Sequence, residues 1–201
     1  MNVKQYAPAT ERNREPILKV LSEVLPQNSK VLEIASGTGE HAVYFASKLP
    51  SCHWIPSDIN PESRSSITAW KNDSAIDNLA LPLSIDVTQD NWESEVAKQI
   101  DSIVNINMIH IAPWQACLGL MKGAGEVLPL SGILYLYGPY KRNRKHTAIS
   151  NANFDRSLRD RNPQWGVRDL EQVIEAAANA NLKLQQVIEM PANNLSVIFS
   201  R

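Results

Sequence analysis

The densest chemistry in the chain lies in Val31-Leu32-Glu33-Ile34-Ala35-Ser36-Gly37-Thr38-Gly39-Glu40-His41. Glycines at 37 and 39 let a backbone turn sharply from strand to helix, and they let a ligand approach bare main chain at a helix N-terminus. The letters Gly37-x-Gly39-x-x-Ala42 fit the pattern G-x-G-x-x-G/A, and Asp58 falls about 20 residues further on, as dinucleotide binding asks. The letters alone leave a nicotinamide dinucleotide and other adenosine cofactors open. Glu33 narrows the choice, because a carboxylate beside the turn repels a pyrophosphate and attracts a cation. S-adenosylmethionine carries an α-ammonium and a sulfonium and has no phosphate. The competing account has Glu33 capping the next helix or pairing with a lysine.

Two more acids close successive apolar runs. Asp58 ends Trp54-Ile55-Pro56-Ser57-Asp58 and offers two acceptor oxygens to ribose hydroxyls. Asp86 ends Leu83-Ser84-Ile85-Asp86 and can accept from an adenine amine. One carboxylate at a strand end is more often solvated or a helix cap. Three in order converge on the crevice beyond the carboxyl ends of a parallel sheet, where ligands bind in such folds.

The elements that position these groups follow from the apolar period. Ile17, Val20, Leu21 and Val24 recur at helical spacing and stop at Pro26, which gives an N-terminal helical segment over about 8–26. Val31 to Ile34 reads as a buried strand, and Ala42, Phe45, Ala46 and Leu49 as the helix after it. The alternation continues with strand His53–Asp58, helix Pro61–Lys71, strand Ala80–Val87, helix Asn91–Gln99, strand Ser102–Ile109, helix Trp114–Gly123 and strand Gly132–Gly138. From 139 to 168 the pattern fails, so the sequence predicts an irregular insertion on the substrate side. Leu170 to Ala177 restores a helix, and strands Leu182–Met190 and Leu195–Phe199 are joined by a turn too short for a parallel crossover. The reading is one α/β domain over 1–201: a Rossmann-like, mostly parallel sheet of seven strands, helices on both faces, closed by a C-terminal antiparallel hairpin.

With those elements in place the chain resembles the class I S-adenosylmethionine-dependent methyltransferases. It is most similar to the methyltransferase-like 26 family, also called domain of unknown function 938. The resemblance is carried by Glu11-Arg12-Asn13-Arg14-Glu15-Pro16-Ile17-Leu18, by Glu33 through His41, by Asn107-Met108-Ile109-His110-Ile111-Ala112-Pro113-Trp114, and by Ser150-Asn151 through Phe154-Asp155 to Trp165-Gly166-Val167-Arg168-Asp169. Ala35 stands where the wider class commonly has the first of three glycines. The resemblance implies a methyltransferase whose cofactor is held by Glu33, Gly37, Thr38, Gly39, Asp58, Ile59, Asp86, Val87, Asn107 and Met108. Arg12, pairing with the cofactor carboxylate, and Asn13 would fold over it from the N-terminal segment.

In that fold the end of the fourth strand lies beside the transferable methyl group, which makes Asn107 and His110 candidates to orient an acceptor or take a proton. Tyr140 is the other candidate base. Methyl transfer at a sulfonium needs chiefly proximity, alignment and a dry site, so a base is not obligatory. The insertion carries eight basic residues against Asp155 and Asp160 in a chain of formal charge −1. With Asn151, Phe154, Arg159, Trp165 and Arg168 as acceptor contacts, this favours a small anionic molecule over nucleic acid, which wants a longer basic surface. The alternatives are a module that binds S-adenosylmethionine without turnover and an NAD(P)-dependent reductase.

Composition agrees with a globular protein: 43% of the 201 residues are apolar and 20% charged. Cys52 and Cys117 form no CxxC pair, and the four histidines lie too far apart for a local zinc signature, so no metal is expected. No stretch reaches a membrane span and the N-terminus lacks a secretory apolar core, which points to a reducing, cytoplasmic setting.

Overall fold

The computed structural model describes residues 3–96 and 100–201, the Glu95 side chain excepted. In chain order the elements are α1 (Pro8–Val24), β1 (Lys30–Ile34), α2 (Glu40–Lys48), β2 (His53–Pro56), α3 (Pro61–Asn72), β3 (Ser102–Ile106), α4 (Trp114–Val127), β4 (Ile133–Arg142), β5 (Lys145–His146), α5 (Ile149–Arg161), β6 (Arg168–Asp169), α6 (Leu170–Asn179), β7 (Lys183–Met190) and β8 (Asn194–Ser200). The sheet runs β2-β1-β3-β4-β8-β7, parallel from β2 to β4 and antiparallel from β4 through β8 to β7. Alternate residues of a strand face opposite sides, and both sides are covered. Val31 of β1 joins Phe45, Trp54 and Tyr135 in the core under α1 and α2. Leu32 and Ile34 join Ile103, Leu120 and Val173 in the core under α4 and α6. Burial on both faces is why the strands read as apolar runs rather than alternating ones.

Four expectations need correction. Ala80–Val87 forms no regular strand: it meets the β2 side only through bridges at Trp54–Leu79 and Ser57–Leu83, with Leu83 N–H donating to the Pro56 carbonyl. Pro82 lies between the bridges and lacks the N–H a ladder needs. The helix expected over Asn91–Gln99 is a 3-10 turn at Trp92–Glu95, and residues 97–99 lie outside the described residues. The strand expected over Ser102–Ile109 stops at Ile106, because Asn107 turns left-handed at φ 64° and starts a 3-10 turn over Met108–His110. The insertion is ordered: β4 runs on to Arg142 and pairs with β5 and β6, and α5 occupies Ile149–Arg161. The polar α5 escaped the apolar-period reading because its buried positions are Asn151, Asp155 and Leu158.

Candidate active site

The turn after β1 is built from left-handed backbone. Ala35 has φ 58°, Gly37 57° and Gly39 90°. A Cβ on Gly39 would sit 2.9 Å from the Ile67 Cα of α3, so this position needs glycine on both conformation and space. Asp58, just past β2, ties the turn down: one carboxylate oxygen accepts from Gly37 N–H at 2.9 Å and the other from Asn60 N–H at 2.8 Å. Thr38 is held from two sides, its carbonyl accepting from Ser66 Oγ and its hydroxyl donating to Glu40 Oε2. Glu33 lies beneath the turn, only 2% exposed, where Oε2 accepts from Trp54 Nε1 at 2.8 Å. Burial raises its carboxyl to about 7, against the bonds from Trp54 and Ser36 that favour the anion.

Beside the turn opens an apolar pocket of about 350 Å³. Ile34, Ala35, Ile59, Ile85, Val87, Met108, Ala112, Pro113 and Trp165 line it, with Asp86 and Thr88 as polar lining groups. Asp86 accepts from Thr88 N–H and its hydroxyl on Oδ1 and from Gln89 on Oδ2, and its pKa is lowered, the bonds from Thr88 and Gln89 outweighing burial. Among the described residues no lysine or arginine lines this pocket. Arg64 commits Nη1 to the carbonyls of Asp58 and Ile59. An adenosine with a cationic tail therefore fits these residues, and a pyrophosphate would lack a counter-charge.

A second, larger cleft of about 670 Å³ lies across the end of β3. Its walls come from α1 (Ala9, Arg12, Asn13), Asn107, β4 (Tyr137, Pro139), α5 (Ser150, Asn151, Phe154) and the β7–β8 turn (Pro191, Ala192, Asn193, Asn194). Asn107 lines this cleft and its neighbour Met108 lines the apolar pocket, so the two spaces adjoin at one turn. The cleft is clasped by Asn151 Nδ2 donating to the Asn193 carbonyl and Asn193 Nδ2 donating to Ser150 Oγ. Asn13 Oδ1 bonds His41 Nε2 at 2.8 Å, and the Tyr137 phenol lies against Asn13 and Asn194, its pKa raised by burial.

The remaining candidates lie elsewhere. His110 and Tyr140 are both 0% exposed, their rings edge-to-face at 5.0 Å, and neither lines the cleft or the pocket. Burial lowers His110 to about 3, helped by the nearby Arg168 charge, and raises Tyr140 well above the ordinary phenol. His110 Nε2 and Tyr140 OH have no partner among the described residues. Arg168, expected at an acceptor, donates from Nε to the Ile109 carbonyl and from Nη2 to those of Ala112 and Gln164. Arg159 donates to Asp155, which also pairs with Lys141 and His146 and accepts from Val167 N–H. The two arginines thus brace the insertion, and Trp165 faces the apolar pocket rather than the cleft. Of the expected acceptor contacts, Asn151 and Phe154 are in the cleft, beside Arg12 and Asn13.

Sequence reasoning missed Tyr137 and the Pro191–Asn194 turn. Positive φ at Ala192 and Asn193 makes that turn bulge into the cleft. Its asparagines were a local signal for left-handed backbone, but nothing local said which cavity they border.

Among solved structures, an O-methyltransferase family protein from Burkholderia thailandensis is similar at TM-score 0.81 and 13% identity, covering 96% of this chain and 57% of that one. Human N-acetylserotonin methyltransferase, solved with S-adenosylmethionine, gives 0.78 and 15%, covering 96% and 52%. An O-methyltransferase family 2 protein from Planctomyces limnophilus, solved with apigenin, gives 0.74 and 19%, covering 94% and 61%. The chain spans between about half and three-fifths of the length of these structures, and it shares the class I methyltransferase fold with them. Residues 4–201 match the family model described as Protein of unknown function (DUF938), so the chain belongs to the DUF938 family.

Proposed function

We propose that the chain is a methyltransferase that binds S-adenosylmethionine and methylates a small acceptor. The observation that carries this reading is the meeting of two unlike spaces at Asn107 and Met108: an apolar pocket ending in Asp86, with no lysine or arginine among its described lining residues, and a polar cleft large enough for a small molecule. Ile59, Val87, Met108 and Trp165 would enclose the adenine, Asp86 would accept from its amine, and Asp58 and the Gly37–Gly39 turn would hold the ribose side. Glu33 lies buried beneath the turn with its carboxyl raised to about 7, and a cationic ligand bound above it would favour its ionised form. When bound, S-adenosylmethionine supplies an activated methyl group. What this chain contributes is alignment, through Asn107 and the α5 wall, and exclusion of water from the pocket.

The test is a thermal-shift panel with S-adenosylhomocysteine, NAD and NADP. A ligand at about one hundred times its Kd stabilises the folded state by about 2.7 kcal/mol, a rise of several degrees for a chain of this size. We expect that rise with S-adenosylhomocysteine and none with the dinucleotides; the opposite pattern would favour a reductase. A module that binds without turnover is favoured by the sealing of His110 and Tyr140 away from both spaces. It would show the same shift but no methylated product with any acceptor.

A further inference from the structure

We infer that the acceptor offers its methyl-accepting atom already ionised, as a carboxylate oxygen, and that Arg12 holds this group in the cleft. The inference rests on the methyltransferase reading and adds the chemical class of the acceptor. Among the described residues no Asp, Glu, His, Lys or Cys lines the cleft, so they offer no group of ordinary basicity there to take a proton from an alcohol, phenol or ammonium. The Tyr137 phenol is shifted away from ionisation, and His110 and Tyr140 are walled off. The acceptor must therefore be nucleophilic as it arrives. A carboxylic acid, with pKa about 4, is ionised at neutral pH, whereas a thiol near 8.5 is only a few per cent thiolate and a phenol near 10 is almost wholly protonated.

The charge in the cleft points the same way. Among the described residues Arg12 is the one charged residue lining it, an exposed guanidinium with no ion pair or hydrogen bond to any of them. Asn107 adds a side-chain amide with no hydrogen bond among the described residues, and Phe154 with Pro139 and Pro191 gives the body of a small molecule apolar contact. An ammonium would meet the same guanidinium with no carboxylate to offset it. None of the insertion's eight basic residues lines the cleft, and Lys141, Arg159 and Arg168 are engaged internally. Chemically the step closes without a base: a carboxylate oxygen forms the new C–O bond as the methyl–sulfur bond breaks. The electron pair stays on sulfur, the products are a methyl ester and S-adenosylhomocysteine, and no proton leaves.

The experiment is calorimetry on the full chain saturated with S-adenosylhomocysteine, titrated with phenylacetate, phenylacetamide and 2-phenylethylamine, which share a ring and differ in head group. We expect phenylacetate to bind at least tenfold more tightly than the other two, and Arg12→Gln to remove that preference. The same variant should bind S-adenosylhomocysteine and 5′-methylthioadenosine within threefold of the parent. Equal affinity for the three probes, absence of binding by all, or preference for the amine overturns the inference. So does a tenfold loss of S-adenosylhomocysteine affinity in Arg12→Gln with methylthioadenosine unaffected, because that places Arg12 on the cofactor carboxylate. Failure of S-adenosylhomocysteine to bind the parent chain shows before any probe is added; it overturns the methyltransferase reading, and this inference with it.

Discussion

Glu33 and Asp58 show how differently two acids beside one turn can be held. Asp58 sits where both oxygens accept from backbone amides, whereas Glu33 has been taken out of water with only the Trp54 indole and Ser36 beside it and carries a carboxyl raised to about 7. Because the folded value lies above the ordinary 4.5, the fold favours the protonated form. Its contribution is complete below the unfolded pKa and is lost as pH rises through about 7, a change on the order of 3 kcal/mol. His110 and His41, lowered to about 3 and about 4 by burial, favour the fold increasingly over the same range, so the Glu33 effect is read by difference: between pH 5 and pH 8 in urea unfolding, the ligand-free chain should lose about 2–3 kcal/mol relative to Glu33→Gln. An identical change in the two chains would remove Glu33 from the pH dependence. For Asp58→Ala we expect S-adenosylhomocysteine affinity to fall by about 1.5–3 kcal/mol, the scale of hydrogen bonds to a charged group, with the chain still folded. Calorimetry showing unchanged affinity in a folded variant would remove Asp58 from the ribose. Both acids were visible in the sequence by type and position. That one would be pinned to the turn and the other buried under Trp54 was not, because Gly37 and Trp54 each lie 21 positions from the acid they bond.

The insertion is the element on which sequence and structure differ most. A helix with buried Asn151 and Asp155 has no apolar stripe to announce it, and its stability comes from Lys141, His146 and Arg159 converging on Asp155. Asp155→Asn should cost about 2–3 kcal/mol, less than the loss of one partner from a fully buried pair, because Arg159 is half exposed. Hydrogen exchange should place the loosening in α5 and leave α1 to β1 protected; a uniform loss of protection would mean that Asp155 supports the whole chain. Arg168→Ala tests the other brace. Removing three guanidinium bonds to carbonyls should destabilise by about 2–3 kcal/mol and expose the amides of residues 108–112. If stability and exchange are unchanged while acceptor affinity alone falls, Arg168 serves the acceptor as the sequence suggested.

At the scale of the whole molecule, the insertion connects the two spaces. Trp165 lines the apolar pocket, Phe154 and Asn151 line the cleft, and the Val167–Asp155 bond of 2.7 Å joins the two stretches. Binding of S-adenosylhomocysteine should thus slow hydrogen exchange both around the glycine turn and at residues 165–167. Protection confined to the turn would show that the insertion takes no part in holding the cofactor. Among the described residues no helix is long and apolar enough to cross a membrane.

Outside the 80–99 stretch the alternation of strand and helix, and with it the closing hairpin, the glycine turn and Asp58 just past β2, were determined by the sequence, since each depends on residues within a few positions of one another. The tertiary structure decided which polar groups stay available once the chain has folded. Arg168 finds carbonyl partners 59 and 56 positions away, and His110 is buried edge-to-face against Tyr140 of the following strand. Asparagines from α1, the turn after β3, α5 and the hairpin turn meet only when four separate segments pack around one cleft. Local pattern sets what each segment can form, whereas exposure, pairing and charge at a site are sums over neighbours that only the packed fold brings together.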